Sequence, residues 1–159
     1  MKVGIIVHSR TGNTLCVAQR LQDKLTAAGH SVSIQRVCAA NDEESDVRKI
    51  RLTESPDASV YDVMIYGAPV RGFALSPVMR AYMSGIGSLG GKKTACFMTQ
   101  AFPYPWMGGT RALKQMLEIC QSKGAALYGS GIVNWSNAAK REKLIRDVIE
   151  KLCNKEFSV

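Results

Sequence analysis

One stretch constrains this chain more than any other: Ile5-Ile6-Val7-His8-Ser9-Arg10-Thr11-Gly12-Asn13-Thr14-Leu15. An apolar strand runs into a short turn rich in hydroxyls, and a helix begins directly after it. The first N–H groups of a helix lack intrahelical acceptors, and the dipole there is positive, so an anion is favoured. Ser9, Thr11 and Thr14 add hydroxyls, Asn13 an amide and Gly12 a flexible backbone. The turn reads as a phosphate cradle. It lacks the Gly-Lys-Ser/Thr ending of a nucleoside-triphosphate loop and the three glycines of a dinucleotide fingerprint. The phosphate expected here is a monoester held without lysine or metal. Ser and Thr also cap ordinary helices, but one cap needs one hydroxyl and this turn has three.

The remaining chain supports a soluble globular reading. Its 159 residues suffice for one domain, 1–159, with a proper core. No apolar run approaches the ~20 residues that span a membrane. Met1-Lys2 leads at once into a strand, without the layout of a signal peptide. Cytoplasmic location is the expectation. Five widely spaced cysteines form no Cys-x-x-Cys pair, and with His8 and His30 as the only histidines a metal or triad site is not expected. The net charge of +8 arises from scattered basic residues rather than a stripe interleaved with aromatics, which argues against nucleic acid.

Taken in order, apolar strands alternate with amphipathic helices. Strands are expected at Lys2–His8, Ser31–Val37, Tyr61–Gly67, Lys93–Thr99 and Ala125–Val133. Between them, the helix after the cradle carries Leu15, Ala18, Leu21 and Leu25 and closes at Gly29. Another starts at Ser76-Pro77, a third follows Thr110 and stops at Gly124, and the last begins at Asn137. The segment Cys38–Ser59 is the least decided: a short weak helix with solvated charge clusters is expected. Strand–helix–strand crossovers are right-handed and imply a parallel sheet. The result is a three-layer, doubly wound α/β sandwich around a five-stranded parallel sheet.

In open sheets of this kind ligands lie beyond the carboxyl ends of the strands. Three such ends stand out: Ser9–Thr14, Ala68–Phe73, and Gln100–Gly109, the last carrying Phe102, Pro103, Tyr104, Pro105 and Trp106. The first suits a phosphate; the others offer close backbone approach and aromatic walls for a planar ring. That is the outline of a mononucleotide such as FMN.

These residues resemble the flavodoxin family over essentially the whole chain. Ile5–Thr14, continuing to Ala18 and Leu21, is similar to the family's phosphate loop, with Val7 where an aromatic residue is usual. Gly67-Ala68-Pro69-Val70-Arg71-Gly72 resembles the second flavin loop, in a Gly-x-Pro form closer to quinone- and FMN-reductase relatives. Gly108-Gly109-Thr110 is similar to the third, although Gln100–Met107 departs from common versions. The resemblance implies a strand order of 2-1-3-4-5 and FMN as cofactor. It implies that Ser9, Arg10, Thr11, Gly12, Asn13 and Thr14 hold the phosphate. Pro69, Val70, Arg71 and Gly72 would follow the flavin edge. Gln100, Ala101, Phe102, Tyr104, Trp106, Gly108 and Gly109 would flank the ring or ribityl chain. Phe73 is expected to pack beneath the second loop.

No catalytic acid, base or nucleophile stands out, so the flavin carries the chemistry. The preferred reading is an electron carrier working between redox partner proteins. A basic face suits acidic partners, or the phosphates of NAD(P)H. The alternative is an NAD(P)H-dependent FMN or quinone reductase, and a third is a partner-binding module without cofactor.

Overall fold

A computed structural model describes residues 1–102, 104 and 106–153; Pro103 and Pro105 of the third loop lie outside the described residues. In chain order the elements are β1 (Lys2–Val7), α1 (Asn13–Ala27), β2 (Ser31–Arg36), β3 (Cys38–Ala39), β4 (Leu52–Glu54), β5 (Val63–Arg71), β6 (Ala74–Leu75), α2 (Pro77–Gly85), β7 (Lys93–Gln100), α3 (Gly109–Ser122), β8 (Ala126–Asn134) and α4 (Ala138–Leu152).

The long strands pair in the order β2-β1-β5-β7-β8, all parallel. Counted over those five strands this is 2-1-3-4-5, as expected. Side chains on a strand alternate between faces, so a strand covered on both sides must be apolar throughout. Strand β1 shows this directly. Ile5 joins a core with Leu21 and Leu25 of α1 and Ile145 and Leu152 of α4. Its neighbour Ile6 points into the opposite core with Met79 and Met83 of α2 and Met116 of α3. The sheet is therefore the middle of three layers.

Helix boundaries follow local chemistry. Ser76 Oγ accepts from the Met79 N–H and Pro77 takes the first helical position of α2. Asn137 Oδ1 accepts from the Ala139 and Lys140 N–H groups to cap α4. Gly29 and Gly124 sit just past α1 and α3 at positive φ.

Two expectations need correction. The third strand does not stop at Gly67: it continues through Pro69, Val70 and Arg71, and the turn shrinks to Gly72-Phe73. Beyond the point where β1 stops pairing at Gly67, β5 keeps β7 on one side and gains β6 as a hairpin partner. The helix expected within Cys38–Ser59 is a single 3₁₀ turn, Val47–Lys49, flanked by the antiparallel pair β3–β4. The acidic stretch there is only partly solvated, because Asp42 turns toward the carboxyl ends of the strands.

Candidate functional site

Every residue of the first turn lies where β1 hands over to α1. Gly12, at φ +92°, is the N-cap, a conformation that costs glycine little. Having no side chain, it leaves capping to Ser9, whose Oγ accepts from the Leu15 N–H at 3.2 Å. Asn13 and Thr14 open the helix, so their N–H groups have no intrahelical acceptor. Thr11 and Gly12 are exposed, whereas Thr14 is buried with its hydroxyl 2.8 Å from Thr99 Oγ1 of β7. The hydroxyls thus divide: Thr11 faces out, Ser9 braces the turn, and Thr14 ties it to the neighbouring strand.

Residues from all three loops line one cleft of about 180 Å³: Arg10, Thr11 and Asn13; Pro69, Val70 and Arg71; and Thr99, Gln100 and Ala101. Larger hollows exist, about 470 Å³ beside Pro56 and Tyr82 and about 690 Å³ between α1 and α4. Both lie toward the amino ends of the strands, away from the helix N-termini and the loops. The small cleft is the one where the three strand-end loops meet.

The third loop is organised by Gln100. Its Nε2 donates to the carbonyls of Phe102 at 2.8 Å and Tyr104 at 2.6 Å, folding the loop back on the end of β7. Its Oε1 is buried without a hydrogen-bond partner. A Cβ on Gly109 would lie 2.0 Å from that oxygen, so a larger residue there would displace the Gln100 amide. The preceding Gly108, at φ +111°, caps α3, and a Cβ on it would lie 2.7 Å from the Phe73 Cα. The second and third loops are in backbone contact at that glycine.

Four aromatic rings of the second and third loops form two parallel stacks. Phe73 and Phe102 have centroids 5.5 Å apart, and Tyr104 and Trp106 5.8 Å apart, each pair within 6° of parallel. Phe73 does not pack beneath the second loop; it is about half exposed and adopts φ +59° beside Gly72 at +57°. Two successive positive φ values are what a two-residue hairpin of the favoured twist requires, and the hairpin overrides the side chain's preference.

Arg71 lines the cleft with its guanidinium tied to Asp42. Its Nη1 donates to the Asp42 carbonyl at 2.5 Å and lies 3.9 Å from the Asp42 carboxylate. Arg10 pairs with Asp42 at 3.3 Å and also with Glu43. Asp42 Oδ1 further meets His8 Nε2 at 2.6 Å, and His8 Nδ1 meets Ser76 Oγ at 2.9 Å. Burial pushes the His8 imidazole below its ordinary 6.5, against the pull of Asp42 in the other direction. Sequence reasoning missed Asp42, His8 and Ser76 as parts of the site. Its one available signal was a histidine at the end of a strand otherwise built for burial.

No family model matches the chain. Among solved structures, a flavodoxin of Streptococcus pneumonia TIGR4 superimposes with a TM-score of 0.69 at 20% identity, covering 96% of this chain and 97% of that one. Oxidised flavodoxin 1 of Bacillus cereus gives 0.65 at 23% identity, with 96% and 97% covered. A curated NAD(P)H dehydrogenase (quinone) of Archaeoglobus fulgidus is 25% identical over 147 residues, 80% of this chain and 75% of that protein. The fold is flavodoxin-like.

Proposed function

We propose that this flavodoxin-like chain binds FMN in the three-loop cleft and transfers electrons between redox partners. The observation that carries the reading is convergence: residues of all three loops line one cleft, with a donor-rich helix N-terminus on one side and, on the other, the loop whose rings stack in pairs. The donor set fits a phosphate monoester, because the turn itself contains no acidic side chain and presents the Thr11 hydroxyl and the first N–H groups of α1. Thr11, Asn13 and the backbone of Arg10 and Gly12 would hold the phosphate, with Ser9 and Thr14 keeping the turn in shape. Pro69–Gly72 would follow the ring edge, and Phe102, Tyr104 or Trp106 would cover its face and exclude water.

The cleft is smaller than the roughly 300–1,000 Å³ of small-molecule sites. The aromatic stacks therefore part on binding, exchanging ring–ring contact for ring–ligand contact worth about 0.5–1.5 kcal/mol per pair. When bound, the isoalloxazine supplies the one- and two-electron redox chemistry. The protein residues bind, orient and shield; none is positioned as a nucleophile.

The Archaeoglobus relative named as a quinone-reducing NAD(P)H dehydrogenase favours a second reading, an FMN-dependent reductase. Stopped-flow mixing of flavin-loaded protein with NADH or NADPH separates the two. A carrier bleaches slowly or not at all with either nucleotide and rapidly with a low-potential reductase. Fast bleaching followed by turnover on a quinone would establish the reductase instead.

A further inference from the structure

One buried imidazole joins the segments of the site, and the proposed function gives it no role. His8 follows the end of β1, directly before the phosphate turn, and is 2% exposed. Both ring nitrogens are engaged, Nε2 with Asp42 and Nδ1 with Ser76. The charged groups around it are Asp42 from the segment after β3, Arg10 from the turn and Arg71 from β5. Glu43 stands behind Arg10, and Arg36 of β2 donates to the Ser9 carbonyl at 3.0 Å. At the cap of α2 the uncharged Ser76 faces the ring.

Asp, His and Ser in sequence suggest a hydrolytic triad, but Ser76 is fully buried and already caps α2. A hydroxyl that no substrate can reach is not a nucleophile. The constellation suits proton storage better. With the ring neutral, Nε2–H donates to Asp42 and Nδ1 accepts from the Ser76 hydroxyl. With the ring charged, Nδ1–H donates to Ser76 Oγ, whose two lone pairs serve both it and the Met79 N–H. Both states keep both contacts without moving a heavy atom, although the Ser76 O–H must turn away from the ring in the charged one. Asp42, about a third exposed, connects the Nε2 side of the ring to solvent, and Nδ1, against buried Ser76, exchanges protons by local opening of the turn.

We propose that His8 takes up one proton from solvent, onto Nδ1, when a phosphate group occupies the Ser9–Thr14 turn, and that the charged ring then holds the turn against Asp42 and the cap of α2. His8 is a positioning residue, and the inference rests on the phosphate reading of the turn. The physical basis is compensation. Burial and the two arginines lower the ring's proton affinity in the free chain, and a dianion held in the turn that follows His8, beside Arg10, brings negative charge that offsets them. By linkage, a ligand that raises the ring's proton affinity binds more tightly when the proton is present.

The test is NMR of the His8 ring across about pH 5–8, in the full chain alone, with inorganic phosphate, with FMN and with riboflavin. Phosphate and FMN raise the His8 midpoint by about one unit, and riboflavin leaves it in place. FMN affinity is then about tenfold higher below the free-chain midpoint than above the bound one. The ligand's own second ionisation near pH 6 persists in His8→Gln, so the difference between the two profiles isolates the ring. If His8→Gln does not fold, Asp42→Asn is read on His8 itself, and loss of the carboxylate lowers the midpoint. An unchanged midpoint in Asp42→Asn overturns the proposal. So does bound phosphate or FMN with the native His8 midpoint unmoved. Failure of both ligands to bind overturns the reading of the turn as well, which distinguishes the two failures.

Discussion

The first and third loops approach the same cleft by different physics. The Ser9–Thr14 turn is bounded by a buried strand and a fifteen-residue helix, and its shape follows from the helix N-terminus and one side-chain brace at Leu15. The Gln100–Gly109 loop also runs from a buried strand to a helix, but it is longer and its span depends on side chains. It is held by one amide side chain, two glycines and rings stacked on each other in solvent. Recognition by donors is built into the backbone geometry, whereas recognition by rings depends on tertiary contacts that the ligand must displace.

The glycines expose this contrast with the largest expected effect. Gly12 and Gly108 both cap helices at positive φ, but a Cβ on Gly12 meets nothing within 4 Å, while one on Gly108 meets the hairpin backbone. Gly12→Ala therefore costs only backbone strain, about 1–2 kcal/mol. Gly108→Ala adds overpacking and costs about 3 kcal/mol or more. Denaturant unfolding measures both, and equal losses would mean that the third loop is not braced on the hairpin.

Ligand selectivity sharpens the same contrast at a smaller scale. Thr11→Ala removes a charge-assisted hydrogen bond worth about 1.5–3 kcal/mol, so FMN affinity falls by at least about tenfold and riboflavin affinity holds. Gln100→Leu frees the Phe102 and Tyr104 carbonyls, and it weakens FMN and riboflavin alike, by about 1–2 kcal/mol. If Thr11→Ala weakened riboflavin as much as FMN, the division of the cleft into phosphate and ring ends would be wrong.

The smallest effect is in pH. His8 has its proton affinity lowered in the folded chain, so below its ordinary 6.5 the unfolded chain binds more protons. Ligand-free stability is complete above that value and declines as pH falls, and His8→Gln flattens the decline. Urea midpoints between pH 5 and 8 measure it.

How much was legible in the sequence follows the same division. The alternation of strands and helices, the helices capped by Ser76 and Asn137 and the first turn rest on local signals, namely apolar runs, capping side chains and hydroxyl spacing, whereas the strand order followed from the family resemblance. The extension of β5 through Pro69 was not legible, because Gly and Pro read as a turn until β6 and β7 are seen to pair on either side. Phe73 at positive φ had no sequence signal, since a phenylalanine is not the residue such a turn favours. Asp42 was hidden for a different reason. Its acidic neighbours resemble a solvated face, and only the chain's return through β3–β4 brings its carboxylate onto His8, Arg10 and Arg71.

The central claim is that the cleft holds FMN by its phosphate, and the most direct measurement is a fluorescence titration of the purified chain with FMN and, in parallel, riboflavin. The account predicts saturable one-to-one quenching of FMN, weaker binding of riboflavin, and a gap between the two that closes in Thr11→Ala. No quenching by the native chain, or equal affinity for the two ligands, would contradict it.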